Sequence, residues 1–145
     1  MRGFTLIELL IVIGIIAILA AVVLVALNPA RQFAQANNSA RRTDVTTILN
    51  AVGQYQVDFK GALPSAITTT YTEICRTGST DCTGLVDLSV LTSGGTYLLE
   101  IPRDPQCDTV CAAEGIGYEI SKNANDRVFV RAPDAQLSQT IEVAR

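Results

Sequence analysis

The chain has 145 residues, of which 48% are hydrophobic and 17% charged, a length that allows one globular domain. It contains no histidine, which excludes Ser-His-Asp and Cys-His catalytic sites, histidine-ligated metals and a histidine pH switch. The formal net charge of −3 argues against a dedicated nucleic-acid binder, and the charge is uneven, since residues 1–60 carry a balance of +2 and residues 61–145 a balance of −5.

The first predicted element is an apolar helix. Nineteen residues from Leu9 to Leu27 carry no charge, and about 20 apolar residues cross a bilayer as a helix. A secretory signal peptide fits less well, because its apolar core usually has about 7–15 residues. A buried core helix would need more surrounding chain than this protein has. A plain membrane anchor is a further alternative.

Glu8 stands at the mouth of this apolar segment, where a carboxylate costs about 3 kcal/mol and marks a candidate functional group. The alternative is a carboxylate that only sits among lipid headgroups. Around it the chain reads Gly3-Phe4-Thr5-Leu6-Ile7-Glu8. This segment closely resembles the class III signal peptide of the type IV pilin and type II secretion pseudopilin family. In that family a short charged leader ends in glycine, phenylalanine follows, and glutamate is the fifth mature residue.

The resemblance implies a processing and assembly mechanism. A prepilin peptidase would remove the leader, residues 1–3, by cutting between Gly3 and Phe4, and Phe4 would then be N-methylated. Glycine at this position lets an extended backbone enter a tight active site, because it has no Cβ. Glu8 of a neighbouring subunit would neutralise the new ammonium group on Phe4, since two charges are tolerated in an apolar environment when paired.

The same resemblance sets the expected topology. Arg31, Arg41 and Arg42 follow the apolar segment while Arg2 alone precedes it, so the positive-inside rule would leave the C-terminus in the cytoplasm. The leader motif implies the opposite orientation. The expected location is therefore the cytoplasmic membrane, single-pass with a cytoplasmic N-terminus, and then an extracellular filament after assembly.

The second predicted element is an amphipathic helix over residues 28–60, which continues the membrane half of the long helix, residues 4–27. Asn28-Pro29 is a break or kink signal between the two halves. Gly61, with Pro64 just beyond it, is expected to end the helix. The stripe that would face the head follows helical spacing and comprises Val45, Ile48, Leu49, Val52, Tyr55 or Gln56, and Phe59.

Residues 61–145 are predicted to form a globular head. Residues 68–75 have β composition, and Leu85, Leu88 and Leu91 predict one short helix. Alternating segments predict three antiparallel strands, at residues 117–120, 127–131 and 140–143. The expected fold class is α+β: the type IV pilin fold, with a long N-terminal α-helix packed on a small antiparallel sheet.

Four cysteines lie in the head, and an even number in an exported domain indicates disulfides. Three connectivities are possible. The favoured one joins Cys75 to Cys82 and Cys107 to Cys111, because each pair flanks a short turn-like loop. A zinc site with four cysteine ligands is the rival, although these spacings fit zinc ribbons poorly.

An acidic loop gives a second metal alternative. The stretch from Asp104 to Tyr118 resembles the loop after Pro-x-Asp-Pro in major-class secretion pseudopilins, some of which bind calcium there. Asp104, Asp108 and Glu114 could supply oxygen ligands. The spacing is not that of an EF-hand, and two cysteines interrupt it. Solvated acidic side chains are therefore expected, and no metal or cofactor is assigned.

The expected function is structural, with no catalytic residues: the major subunit of a type IV pilus, a homo-oligomeric filament for adhesion, twitching motility or DNA uptake. The alternative is a pseudopilin that builds a short periplasmic piston. The resemblance also implies a cytoplasmic assembly ATPase and a membrane platform protein as partners. From the opposite charges of stalk and head, some of the stalk arginines are expected to face acidic groups on neighbouring subunits, the candidates being Arg31, Arg41 and Arg42.

Overall fold

The computed structural model describes residues 3–26 and 28–145, so the leader residues Met1 and Arg2 and the end of the expected anchor, Leu27, lie outside the described residues. The chain divides into two compact units, Met1–Ala34 and Gln35–Arg145.

The first unit is dominated by helix α1, Leu6–Ala26. Its sequence is apolar on every side, and all residues from Leu6 to Val25 are exposed. This helix is long and apolar enough to cross a membrane.

Helix α2, Pro29–Asp58, begins at the predicted break. Asn28 precedes it in the left-handed region (φ 40°) and caps it, because its Oδ1 accepts a hydrogen bond from the Arg31 N–H at 3.3 Å. Pro29 occupies the first helical position, where the missing N–H leaves no bond unmade. The local sequence therefore both interrupts the helical run and starts the next helix.

Helix α2 ends two residues before the expected position. The Gly61 N–H bonds the Gln56 carbonyl at 2.7 Å and the Lys60 N–H bonds the Val57 carbonyl at 3.3 Å, which is the Schellman pattern. The left-handed residue that follows the helix, after Phe59, is therefore Lys60 (φ 54°), and Gly61 (φ 97°) comes next. The expectation that Gly61 itself takes the capping position is wrong by one residue.

In the second unit, α2 packs its inner face on a four-stranded sheet. The strands are β1 Thr72–Cys75, β2 Gly115–Lys122, β3 Val128–Ala132 and β4 Ile141–Ala144. They pair antiparallel in the order β1-β2-β3-β4. The α+β class is confirmed, but the three expected strands are joined by β1 at one edge. The core combines buried residues of the sheet and α2, among them Val45, Ile48, Val52, Ile120 and Val130.

Two expectations for apolar residues are wrong. Phe59 is 52% exposed and stacks on Tyr55 at a centroid distance of 4.2 Å, so it lies outside the core stripe. The short helix is not at residues 85–91, because Val86 forms a parallel bridge with Ile74 and is extended. Helix α3 instead covers Ser89–Thr92, and a further short helix, α4, covers Cys107–Val110.

Candidate functional site

The start of helix α1 is closed by a reciprocal pair of hydrogen bonds between Thr5 and Glu8. Glu8 Oε2 accepts from the Thr5 N–H at 2.8 Å and from the Thr5 hydroxyl at 2.7 Å. In return, Thr5 Oγ1 accepts from the Glu8 N–H at 3.3 Å. This is a capping box, in which two backbone donors at the helix start find side-chain acceptors. The pattern Thr-x-x-Glu is readable in the sequence, although the role of Thr5 was not among the expectations.

The cap lies on the mature side of the expected cleavage bond. Gly3 and Phe4 precede the helix, and Phe4 is 86% exposed. All three hydrogen bonds of the cap belong to Thr5 and Glu8, so cutting between Gly3 and Phe4 leaves them intact. Both hydrogen bonds that the Glu8 carboxylate accepts from described residues end on Oε2. Its Oε1 is therefore open to a further donor, and Glu8 is exposed.

In the head, the structure joins Cys75 to Cys82 and Cys107 to Cys111, the pairs that the loop spacing favours. The Cα atoms lie 5.6 Å and 4.7 Å apart. The second pair encloses helix α4. With all four sulfurs in disulfides, they are not the thiolates that a zinc site requires.

A buried ion pair fixes α2 to the loop before α4. The Arg41 guanidinium donates to both carboxylate oxygens of Asp104, from Nε at 2.6 Å and from Nη2 at 2.9 Å, and neither side chain is exposed. Arg41 also donates to Asn38 Oδ1 at 3.2 Å and Gln106 Oε1 at 3.0 Å. Arg41 therefore forms its ion pair within its own subunit, so among the three candidate arginines it is not one that faces a neighbouring subunit.

The three candidate calcium ligands are held apart. Asp104 is bound to Arg41, whereas Glu114 pairs with Arg76 at 2.8 Å and accepts from the Ser79 hydroxyl at 2.8 Å. Asp108 is exposed on α4. Within the described residues, no three histidine, cysteine, aspartate or glutamate side chains form a group that could hold a metal ion.

A second polar contact ties the sheet to α2. The buried Tyr118 of β2 donates its hydroxyl hydrogen to Asp44 Oδ2 at 2.6 Å. Burial, and then the hydrogen bond to Asp44, raises the pKa of Tyr118 well above its usual value. Burial also raises the pKa of Asp44, while the bond from Tyr118 works in the opposite direction. Sequence reasoning did not find this pair or the Arg41–Asp104 pair.

Comparison with known proteins identifies the N-terminal segment. Residues 1–24 match the model of the prokaryotic N-terminal methylation motif. No curated protein and no solved structure matches the chain. The match covers the leader, the Thr5–Glu8 cap and most of the apolar helix, and proteins with this motif are structural rather than catalytic. This match supports the identification of residues 1–24 with the class III signal peptide typical of the type IV pilin and pseudopilin family.

Proposed function

We propose that this protein is the major subunit of a type IV pilus, anchored in the cytoplasmic membrane before assembly and extracellular afterwards. The observation that carries the proposal is helix α1, whose apolar side chains are all exposed from Leu6 to Val25 behind the processing motif. Each large apolar side chain left in water costs about 1.5–3 kcal/mol. The helix therefore needs lipid before assembly and other helices after it, as in a filament core.

Glu8 Oε1, which accepts no hydrogen bond from the described residues, is the atom that would bind the neighbouring subunit during assembly. Cleavage before Phe4 creates an ammonium group that is costly in an apolar core unless it is paired. Glu8 Oε1 of a neighbouring subunit accepts this donor while Oε2 keeps the cap with Thr5. One carboxylate thus closes its own helix and binds the next subunit. The pair also sets the axial step between neighbouring subunits.

Processing is tested first. Gly3→Leu should leave a full-length precursor in the membrane and no filaments, because the side chain obstructs the peptidase. N-methylated Phe4 should be the first residue of the mature chain by mass spectrometry. A mature chain that begins at Met1, or beyond Leu27, contradicts the proposal.

Assembly is tested at Glu8 with a matched pair of variants. Glu8→Gln keeps an oxygen that can cap Thr5 but has no charge, and Glu8→Ala has neither. If charge pairing drives assembly, both variants are inserted and cleaved, and both give few filaments. Normal filament yield from Glu8→Gln would remove the ammonium pairing, and normal yield from both would remove Glu8 from assembly.

The calcium dependence of the head's stability distinguishes a pilus subunit from a pseudopilin. The loop around α4 is held by the Cys107–Cys111 disulfide and the Arg41–Asp104 pair, which supports a head that does not depend on calcium. A fragment starting at Gln35 should melt at the same temperature with calcium or chelator, and lower with reductant. A large calcium-dependent stabilisation without an effect of reductant would favour the pseudopilin.

Intact cells test the proposal at the level of the organelle. Labelled antibody should mark long surface filaments that contain this chain, since a pseudopilin would leave the surface bare. Prepilin peptidase, an assembly ATPase and a membrane platform protein are the expected partners, and deletion of any one should abolish the filaments. Adhesion, twitching motility and DNA uptake are the activities to assay in a strain without this chain.

A further inference from the structure

The loop between β3 and β4, residues 133–140, exposes the apolar side chain of Leu137 although its backbone there is strained. Leu137 (φ 59°) and Ser138 (φ 54°) are consecutive residues in the left-handed region, and neither is glycine. Each such residue costs about 1–2 kcal/mol. Leu137 is nevertheless 44% exposed, so the strained conformation does not serve to bury it. We call this segment the Leu137 loop.

The loop is fixed by α2. The side chain of Asn38, which is 1% exposed, accepts from the Gln136 N–H at 2.9 Å and donates to the Gln136 carbonyl at 2.7 Å. Asn38 also donates to Gln139 Oε1 at 3.1 Å. Two of these bonds fix the backbone of Gln136, the residue before Leu137, and the third holds the side chain of Gln139, two residues after it. Backbone strain that the surroundings enforce is concentrated at functional positions.

A groove that could accept an apolar side chain lies near the C-terminal end of α2. It has a volume of about 410 Å³ and is lined by Gly53, Val57, Asp58, Tyr97 and Arg145, among others. Val57 is 80% exposed. A Cβ on Gly53 would lie 2.8 Å from Arg145 Nη1, so glycine makes room for the arginine at the groove wall. We call this the Val57 groove.

The loop cannot fill the groove of its own subunit. Asn38, which holds the loop, and Val57 are 19 residues apart on α2, which corresponds to about 28 Å at 1.5 Å per residue. A contact between the two surfaces therefore joins two copies. Repeated head to tail from copy to copy, such a heterologous contact generates a filament when its rotation does not close a ring.

The charges beside the two surfaces are complementary. Asp134 lies in the Leu137 loop. Arg42 lies beside the loop and donates a hydrogen bond to Gln139 Oε1 at 2.8 Å. The Val57 groove carries Arg145 and Asp58, the latter accepting from the Tyr97 hydroxyl at 2.8 Å. Each surface has one acid and one base. Two opposite-charge pairs can therefore form around an apolar centre.

From these observations we infer that Leu137 of one copy packs into the Val57 groove of the next copy along the filament. The inference rests on the proposed filament function and names the head surface that sets register between successive subunits. The contact adds to the packing of the apolar helices, because a single side chain in a groove buries far less than the about 1,000 Å² expected of an independent interface.

Photo-cross-linking of the full chain in intact filaments tests the contact. A benzophenone amino acid at Leu137 should give covalent dimers whose cross-linked peptides contain Gly53–Asp58, Tyr97 or Arg145. Val90 is the matched control, because it is also 44% exposed and apolar, and its cross-links should not reach these peptides. Dimers from Leu137 that map elsewhere, or none from filaments that form normally, would overturn the inference.

A substitution pair gives an independent readout. Leu137→Asp should lower filament yield about tenfold, the loss expected when one apolar side chain no longer packs, while Val90→Asp should leave it near normal. Equal yields from the two variants would contradict the contact. If the unsubstituted chain forms no filaments in cells, the proposed function fails and this contact fails with it. If it does form them, these tests address the contact alone.

Discussion

Removing the Arg41 guanidinium should destabilise the head more than any other single substitution on the polar face of α2. Arg41→Met keeps an unbranched apolar stem and removes the guanidinium group with its charge. It leaves the Asp104 carboxylate buried, with the Gln106 N–H at 2.8 Å as its remaining donor. Removing one member of a buried ion pair typically costs about 3–5 kcal/mol. A domain of this size has about 6–17 kcal/mol of stability in total.

Urea unfolding of an oxidised fragment that starts at Gln35 measures this cost. With a slope of about 2 kcal/mol per molar urea, the midpoint should fall by about 1.5–2.5 M. Arg42→Met is the matched control, because Arg42 is the next residue and is exposed. Its own hydrogen bond, to Gln139, is at the surface. The control should change the midpoint by a few tenths of a molar at most.

The double variant Arg41→Met, Asp104→Leu separates the charge from the packing. It removes both buried charges, so it should be more stable than Arg41→Met alone. Recovery should be incomplete, because Asn38 and Gln106 each lose the guanidinium donor. An Arg41→Met cost below about 1 kcal/mol, or a double variant whose cost equals the sum of the two single variants, would refute the reasoning.

Three further predictions concern the pH dependence, the helix end and the disulfides. Because the pKa of Tyr118 is raised, the folded state holds this proton more tightly than the unfolded state. Stability should fall as pH rises past about 10, by up to about 1.4 kcal/mol per pH unit, and Tyr118→Phe should flatten the profile. Lys60→Gly should raise the free energy of unfolding by about 1 kcal/mol, because Lys60 is left-handed, whereas Lys60→Ala should be near neutral. Replacing Cys75 and Cys82 with serine should cost about 2.5 kcal/mol, as expected for so short a loop, and no loss of unfolding free energy would contradict the linkage.

The apolar part of the fold follows from the sequence pattern. Val45, Ile48 and Val52 repeat at helical spacing and are all buried, because burial of apolar area is the main term that orients an amphipathic helix. The break at Asn28-Pro29 is likewise local chemistry and was predictable. So was the class of the head, since alternation marks strands directly.

The polar part of the core was not predictable in the same way. Asn38 and Arg41 precede Val45 on the same helix face, at spacings of three and four residues, and both are buried. Apolar periodicity does not detect them, because polar residues are usually solvated. Their burial depends on Asp104 and Gln136, which lie far away in the chain. Only the tertiary fold brings these partners together.

The candidate assembly site, unlike the polar core, could be identified from the sequence without the tertiary fold. Gly3, Phe4 and Glu8 were identified by resemblance, whereas the role of Thr5 needed no tertiary information, because Thr-x-x-Glu before an apolar run is a local capping signal. The sequence pattern was not interpreted as a cap because the resemblance assigned Glu8 a role between subunits only. In the structure one carboxylate oxygen of Glu8 caps the helix, and the other is left for the proposed ammonium pairing.

These two tasks explain why a glutamate suits the mouth of an apolar helix. In lipid, an uncapped helix start leaves N–H groups with no water to bond, at several kcal/mol each. Glu8 removes part of this cost in every state of the chain, before and after cleavage, because its cap involves only Thr5. In the proposed filament, the remaining oxygen gains a charged donor only beside a processed subunit. Glutamine could cap the helix but has no charge for the proposed pairing, and aspartate is too short for the same reach. Glutamate therefore suits both the membrane-resident helix and the proposed filament.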